Sequence, residues 1–153
     1  MWRPPPGVGS VLNTVPLPII KVVGTSASGK STLVACLRRL GYDARPVSQE
    51  HSEVPDLWQR FDKPYVLIFL QASLAAQRAR RPGQQRDYSE LVREQTRLAN
   101  ARDAADLRVD TSALDAKQVC EVVVTFLDKI GVKHADEPLA PVRATGSSKP
   151  TSP

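Results

Sequence analysis

Apolar positions along the chain fall into short runs separated by turn-forming residues. Leu17 to Val23 carries Ile19, Ile20, Val22 and Val23, a β-branched run that predicts a strand buried on both faces, the usual state of a central parallel strand. Lys21 is its one polar interruption. A glycine-rich turn follows. Then Leu33, Val34, Leu37 and Leu40 recur at helical spacing, with Gly41 at the position of a C-terminal cap. Tyr42 to Val47 predicts a short second strand, Ser48 to Glu53 are polar throughout, and Val54 and Pro55 open a short helix through Trp58 and Phe61. Tyr65 to Leu70 is a second continuous apolar strand, launched by Pro64 and ending before Gln71. Leu74 to Arg81 has helical spacing and Pro82 to Asp87 breaks it. Tyr88 to Ala104 resumes helix through Leu91, Val92, Gln95, Leu98 and Ala99. Leu107 to Asp110 gives a last short strand. Val119, Val122, Val123, Phe126, Leu127 and Ile130 then mark one broad face of a helix over 116–130, capped by Asp115 with Gln118 and closed by Gly131.

Strands alternating with helices imply βαβ crossovers, so the expected fold class is α/β: a three-layer α/β/α domain whose mostly parallel sheet has four or five strands. No repeat of 20 to 50 residues is visible, which argues against a solenoid. A length of 153 residues suits one domain. Prolines 4, 5, 6, 16 and 18 crowd the start, and 138–153 is mostly Pro, Ala, Ser and Thr. The expected organisation is a flexible segment 1–16, a folded body 17–132 and a flexible tail 133–153.

Charge sharpens the picture only locally. The net charge is +5, which favours an anionic partner without telling nucleotide from nucleic acid. Arginine outnumbers lysine 14 to 7, and eight arginines lie between Arg78 and Arg108 against five acidic residues. Planar guanidinium groups suit phosphate. With three Tyr, three Phe and two Trp, no interleaved aromatic and basic platform exists, and a nucleic-acid partner is not favoured. Cys36 and Cys120 have no metal-site spacing and each sits in a helical pattern, so both are expected as buried free thiols. No signal-peptide core or membrane-length apolar run is present, and a soluble, cytoplasmic protein without a membrane partner is expected.

The most specific pattern is Gly24-Thr25-Ser26-Ala27-Ser28-Gly29-Lys30-Ser31-Thr32, which meets Gly-x-x-x-x-Gly-Lys-Ser between a buried strand and a helix: a phosphate-binding P-loop. Backbone N–H groups from Ser26 to Thr32 are expected to converge on phosphates, helped by the helix dipole. Gly24 would permit a sharp exit from the strand, and Gly29 a close approach of phosphate to the main chain. Lys30 would reach the β- and γ-oxygens, Ser31 would ligate magnesium, and Thr32 either helps at the α-phosphate or is simply helical. The implied cofactors are ATP and Mg²⁺. No Asn/Thr-Lys-x-Asp set follows the third strand, which lowers GTP.

This loop, the small domain and the arginine-rich segment before the last strand resemble the small P-loop kinases related to the adenylate, shikimate and gluconate kinases. The likeness spans roughly Ile19 to Ile130. It implies an arginine-rich lid near 78–102 that closes over the phosphates, with Arg78, Arg81 and Arg86 in or beside it and Arg78 and Arg81 in catalytic roles. It also implies that Arg102 approaches ATP from the returning helix and that Asp110, Thr111 and Ser112 form the adenine-side loop. The chain departs from the pattern in two places. Few residues separate the loop helix from the strand at Tyr65, so the substrate cap looks reduced. That strand ends in Gln71 where a carboxylate would serve magnesium. Glu50 is the replacement candidate, as magnesium-side acid or base, with Asp43 behind it and Asp56 as another possibility.

Phosphoryl transfer needs in-line placement, charge neutralisation and exclusion of water. The expectation is an ATP-dependent kinase acting on a small molecule: a nucleoside, a nucleotide or a small hydroxy acid. Arg60 would suit a nucleotide monophosphate, His51 would either bind the acceptor or be merely core or exposed, and His134 is expected to be solvated. The alternative is a nucleotide-binding regulator or slow ATPase.

Overall fold

β1 (Ile19–Gly24) is buried along almost its whole length because it is flanked on both sides, by β2 (Asp43–Pro46) and by β3 (Val66–Gln71). The computed structural model describes residues 16–142 apart from Gln85. β4 (Leu107–Asp110) completes one all-parallel sheet of four strands in the order β2-β1-β3-β4. Four helices cover it: α1 (Lys30–Arg39), α2 (Leu74–Arg80), α3 (Tyr88–Ala104) and α4 (Ala116–Lys129). The fold is α/β.

Period-2 alternation along the strands sorts side chains into two cores. Ile20, Val22, Ile68 and Leu70 pack against Leu33, Val34 and Leu37 of α1 and Val119, Val123 and Leu127 of α4. Val23, Leu67 and Phe69, on the opposite face, meet Leu98 and Ala101 of α3 and Trp58. The layers are therefore α1 with α4, the sheet, and α3. Each fully buried leucine or isoleucine in these cores is worth roughly 2 kcal/mol of transfer free energy. Lys21 lies among the buried positions because its Nζ reaches the Arg60 carbonyl at 3.2 Å. Burial holds its pKa below the usual lysine value, with Asp62 opposing.

Caps behave as their residues dictate. Asp87 and Asp115 form complete capping boxes with Glu90 and Gln118 on α3 and α4, and Ser73 caps α2. Gly41 and Gly131 take φ of 94° and 75° just past α1 and α4.

Three expectations change. The helix expected from Val54 through Phe61 is a single 3₁₀ turn, Leu57–Gln59, after an earlier one at Gln49–His51. Only Trp58 is buried there, while Phe61 is exposed at φ 69°. Cys36 and Cys120 are not free thiols: α1 and α4 bring their Cα atoms within 6.6 Å and a disulfide joins them. Residues 133–142, expected as the start of a flexible tail, pack on the end of α1. Ala135 N–H donates to the Gly41 carbonyl and Leu139 N–H to the Arg38 carbonyl, both at 2.8 Å. His134, exposed as expected, lies against the Tyr42 ring at 4.7 Å between centroids. The proline-rich start, 1–15, and the last stretch, 143–153, lie outside the described residues.

Candidate nucleotide site

All four strands deliver their C-terminal ends to one edge of the sheet, where open α/β sheets place ligands. β1 leads there into the loop 24–29, β2 into Gln49–His51, β3 into Ala72 and Ser73, and β4 into Thr111. Gly24 is needed here for room rather than for a special turn. A Cβ on it would stand 2.2 Å from the Leu70 carbonyl oxygen, so only glycine lets β1 close on β3. Gly29 has the opposite reason: nothing crowds it, but its φ of 98° is left-handed, and that turn starts α1.

The loop's peptides are held from outside. Arg80 Nη1 donates to the Ala27 carbonyl at 2.7 Å, and the Thr111 hydroxyl donates to the Ser28 carbonyl at 2.9 Å. In a trans peptide the following N–H points the other way, so the Gly29 N–H faces inward. The N–H groups of Ala27, Gly29, Lys30, Ser31 and Thr32 take no acceptor among the described residues. Five unpaired donors at the N-terminus of a ten-residue helix form an anion-binding concavity with the positive dipole end behind it.

Two members of the motif do not join that cradle. Ser26 donates both its N–H (3.1 Å) and its hydroxyl to the Glu94 carboxylate, so its amide is not a free phosphate donor. Thr25 is buried, its hydroxyl accepting from the Ala72 N–H at 3.0 Å, and it fastens β1 to the end of β3. Ser31 and Thr32 do border the cavity.

Glu50, the expected replacement for Gln71, lies beside the loop. It is 4% exposed, with Oε2 2.7 Å from Lys30 Nζ, which also donates to the Gly24 and Thr25 carbonyls at 3.0 and 3.1 Å. Its Oε1 is buried without a hydrogen-bond partner. Gln49 fixes this placement: its amide donates to the Val54 carbonyl and accepts from the Trp58 N–H, folding the chain back after β2. Arg97 adds a contact at the Glu50 carbonyl. His51 borders the cavity with Nε2 3.6 Å from Glu50 Oε2. Asp43 and Asp56 are elsewhere. Asp43 opens β2 at the far end of the strand, paired with Arg38 and Arg45, and Asp56 pairs with Arg60. Arg60, so engaged, does not border the cavity.

Two cavities meet across the loop. One, of about 410 Å³, runs over Ser26 to Thr32 to Pro46, Ser48, Glu50, His51, Arg80 and Arg81. The other, of about 270 Å³, is walled by Leu33, Leu114 and Val119 with Thr111 and Asp115, a slot of suitable size and polarity for a base. Arg80 borders both. Asp110 and Ser112, expected on the adenine side with Thr111, turn away from this slot. Hydrogen bonds from the Ser112 hydroxyl and then the Ser112 N–H hold the Asp110 carboxyl below its usual pKa, and the same hydroxyl accepts from the Ser73 N–H.

Of the expected arginines, Arg81 reaches the larger cavity. Arg78 donates to the Arg86 carbonyl at 2.9 Å, and Arg86 pairs with Glu94 at 3.1 Å. Arg102 lies two turns beyond Glu94 on α3, facing Asp103, so it does not approach the loop. The residues missed by sequence reasoning are Arg80, Glu94 and Gln49. Arg80 had a signal, since it sits one turn past buried Gln77 on the inner face of α2. Glu94 is one of five acids in an arginine-rich stretch, and only packing distinguishes it. No cluster of three His, Cys, Asp or Glu able to cage a metal occurs among the described residues, nor any helix long and apolar enough to cross a membrane. No protein-family model matches the chain, and comparison with curated proteins gives no match.

Proposed function

We propose that the protein binds ATP with magnesium at this loop and transfers the γ-phosphoryl group to a small-molecule acceptor in the larger cavity. The observation that carries the reading is the cradle of five unpaired N–H groups with Lys30 and the half-satisfied, buried Glu50 at its rim. The base would occupy the apolar slot beside Thr111 and Asp115, and the phosphates would lie over Gly29 to Thr32. Glu50 with Ser31 fits a magnesium ion that arrives with the nucleotide, because such ions take one or two protein ligands and complete their shell with phosphate and water. Bound there, the ion would neutralise β- and γ-oxygens.

The chain's own groups then divide the work. The loop N–H groups orient the phosphates, Lys30 leaves Glu50 to hold the transferring oxygens, and Arg80 and Arg81 add positive charge on the opposite wall. Glu50 borders the cavity and is the candidate to accept an acceptor's hydroxyl proton once its buried Oε1 is uncovered. Pro46, Ser48 and His51 border the side from which that acceptor enters.

The test has two parts. Isothermal titration of Mg·ATP should give binding that a folded Lys30→Ala variant weakens at least about tenfold; equal affinity would overturn the site. Labelled γ-phosphate should move to one member of a panel of nucleosides, nucleotide monophosphates and small hydroxy acids. Phosphate release with no acceptor product would instead make the protein a slow ATPase or a nucleotide-dependent regulator.

A further inference from the structure

Glu94 is an acid where charge alone would not place one. It sits mid-way along α3, 2% exposed, beneath a loop built to hold anions. Both its oxygens are engaged: Oε1 takes the Ser26 N–H at 3.1 Å, while Oε2 takes the Ser26 hydroxyl and Arg86 Nη2, the latter at 3.1 Å. Burying a carboxylate so completely is tolerated only where its partners are all in place.

The geometry has a second half. Because the Thr25–Ser26 peptide is trans, fixing the Ser26 N–H on Glu94 points the Thr25 carbonyl the other way. That carbonyl accepts from Lys30 Nζ at 3.1 Å and from the Ser28 N–H at 3.2 Å. One carboxylate on α3 thus sets the peptide plane from which both the turn of the loop and the resting place of Lys30 follow. Arg86, just before the Asp87 cap of α3, is tied to the same oxygen, and its Nε is buried with no acceptor. Arg86 Nη1 also lies 3.9 Å from Glu90 Oε2, so Glu94, at 3.1 Å, is the nearer of its two carboxylate partners.

We infer that Glu94 is a positioning residue that latches the phosphate loop to the start of α3 through Arg86, so that the conformation of the cradle and the order of the Arg86 end of the helix are one coupled property. The inference rests on the reading of the loop as a phosphate cradle. Glu94 touches no ligand in this scheme. Its effect passes through Ser26 and Lys30.

The experiment compares wild type with Glu94→Gln, Glu94→Ala, Arg86→Gln and the Arg86→Gln/Glu94→Gln double variant, by hydrogen exchange of peptides over 24–32 and 86–92 and by Mg·ATP titration. Glu94→Gln keeps a carbonyl for the Ser26 N–H but loses the charge that holds Arg86. Exchange should rise in both peptides together, and ATP affinity should fall several-fold. Glu94→Ala should weaken ATP by roughly tenfold or more, since it strands the Ser26 N–H as well. Arg86→Gln should match Glu94→Gln, and the double variant should add nothing further, as expected for two groups acting as one unit. Additive effects in the double variant, or faster exchange at 86–92 with 24–32 unchanged, would overturn the latch. Should Glu94→Ala not fold, the isosteric variants decide. If wild type itself fails to bind ATP, the nucleotide reading falls, and the paired exchange response of the free protein still decides whether the latch exists.

Discussion

Replacing Glu50 by glutamine separates the two roles proposed for it, because on that reading its charge opposes a bound triphosphate while its chemistry serves the transfer. Lys30 Nζ is 2.7 Å from Glu50 Oε2, and a phosphate oxygen takes an ammonium donor at about 2.8 Å. An oxygen held by Lys30 in its present position would thus lie no farther than about 5.5 Å from Oε2. Two unit charges at that distance repel by about 3 kcal/mol at an effective dielectric constant of about 20. The cleft is open to solvent and salt, which leaves about 1 to 2 kcal/mol, or roughly tenfold in affinity. Glu50→Gln should therefore bind ATP about tenfold more tightly than wild type in EDTA, since Lys30 is also released from its partner. With magnesium the carboxylate becomes a ligand instead of an obstacle, and the affinities should converge to within about threefold, while phosphoryl transfer falls about 100-fold with loss of a positioned base. Isothermal titration with and without magnesium reads the first pair of values, and labelled phosphate the second. Magnesium-free affinity that is unchanged or weaker in Glu50→Gln would refute the electrostatic account, and wild-type turnover would remove the catalytic role.

Other consequences follow from single residues. Gly24→Ala should destabilise the fold by about 3 kcal/mol in urea denaturation, because its Cβ would meet the backbone carbonyl of Leu70, in a central strand, at 2.2 Å; a loss below about 1 kcal/mol would mean that β1 and β3 can part there. Hydrogen bonds from the Glu90 N–H and Ser89 hydroxyl hold the Asp87 carboxyl below its usual pKa. Its capping contribution should therefore be complete above about pH 4, the unfolded value, and vanish as pH falls through the lower folded value. The stability difference between wild type and Asp87→Ala should shrink across that acid window, and a constant difference down to the most acid pH would contradict it. Thiol titration of the denatured protein without reductant should find no free cysteine, and reduction should lower stability by up to about 4 to 5 kcal/mol for a loop this long; two titratable thiols would leave Cys36 and Cys120 as neighbours only.

The chain's own pattern determined the α/β class, β1 and β3 to within two residues at each end, the limits of α3, the Asp115 capping box and the strand-loop-helix setting of the Gly-Lys-Ser motif, because each rests on local physics. A β-branched run fits a pleated, two-sided core, an aspartate three residues before a Glu or Gln satisfies orphan N–H groups, and Gly-Lys-Ser after a strand leaves donors unpaired. Glu50 was legible for a further reason: a short strand ending before it must release it at the sheet edge beside the loop. Other outcomes depended on what distant segments do to one another. Asp43 and Glu50 are both acids flanking β2, yet only the one past its C-terminal end meets Lys30. Arg102 is lost to the site and Arg80 gained because helix direction and register decide which arginine points inward. Cys36 and Cys120, 84 residues apart, become partners only when α1 and α4 pack on the same face. Glu94 looks like any surface acid of a basic helix, and only the closure of α3 against the loop turns it into the carboxylate that holds Ser26. Spacing along the chain fixes what a residue can do, but burial and partners across the chain decide whether a charged group is solvated, paired or left half-satisfied.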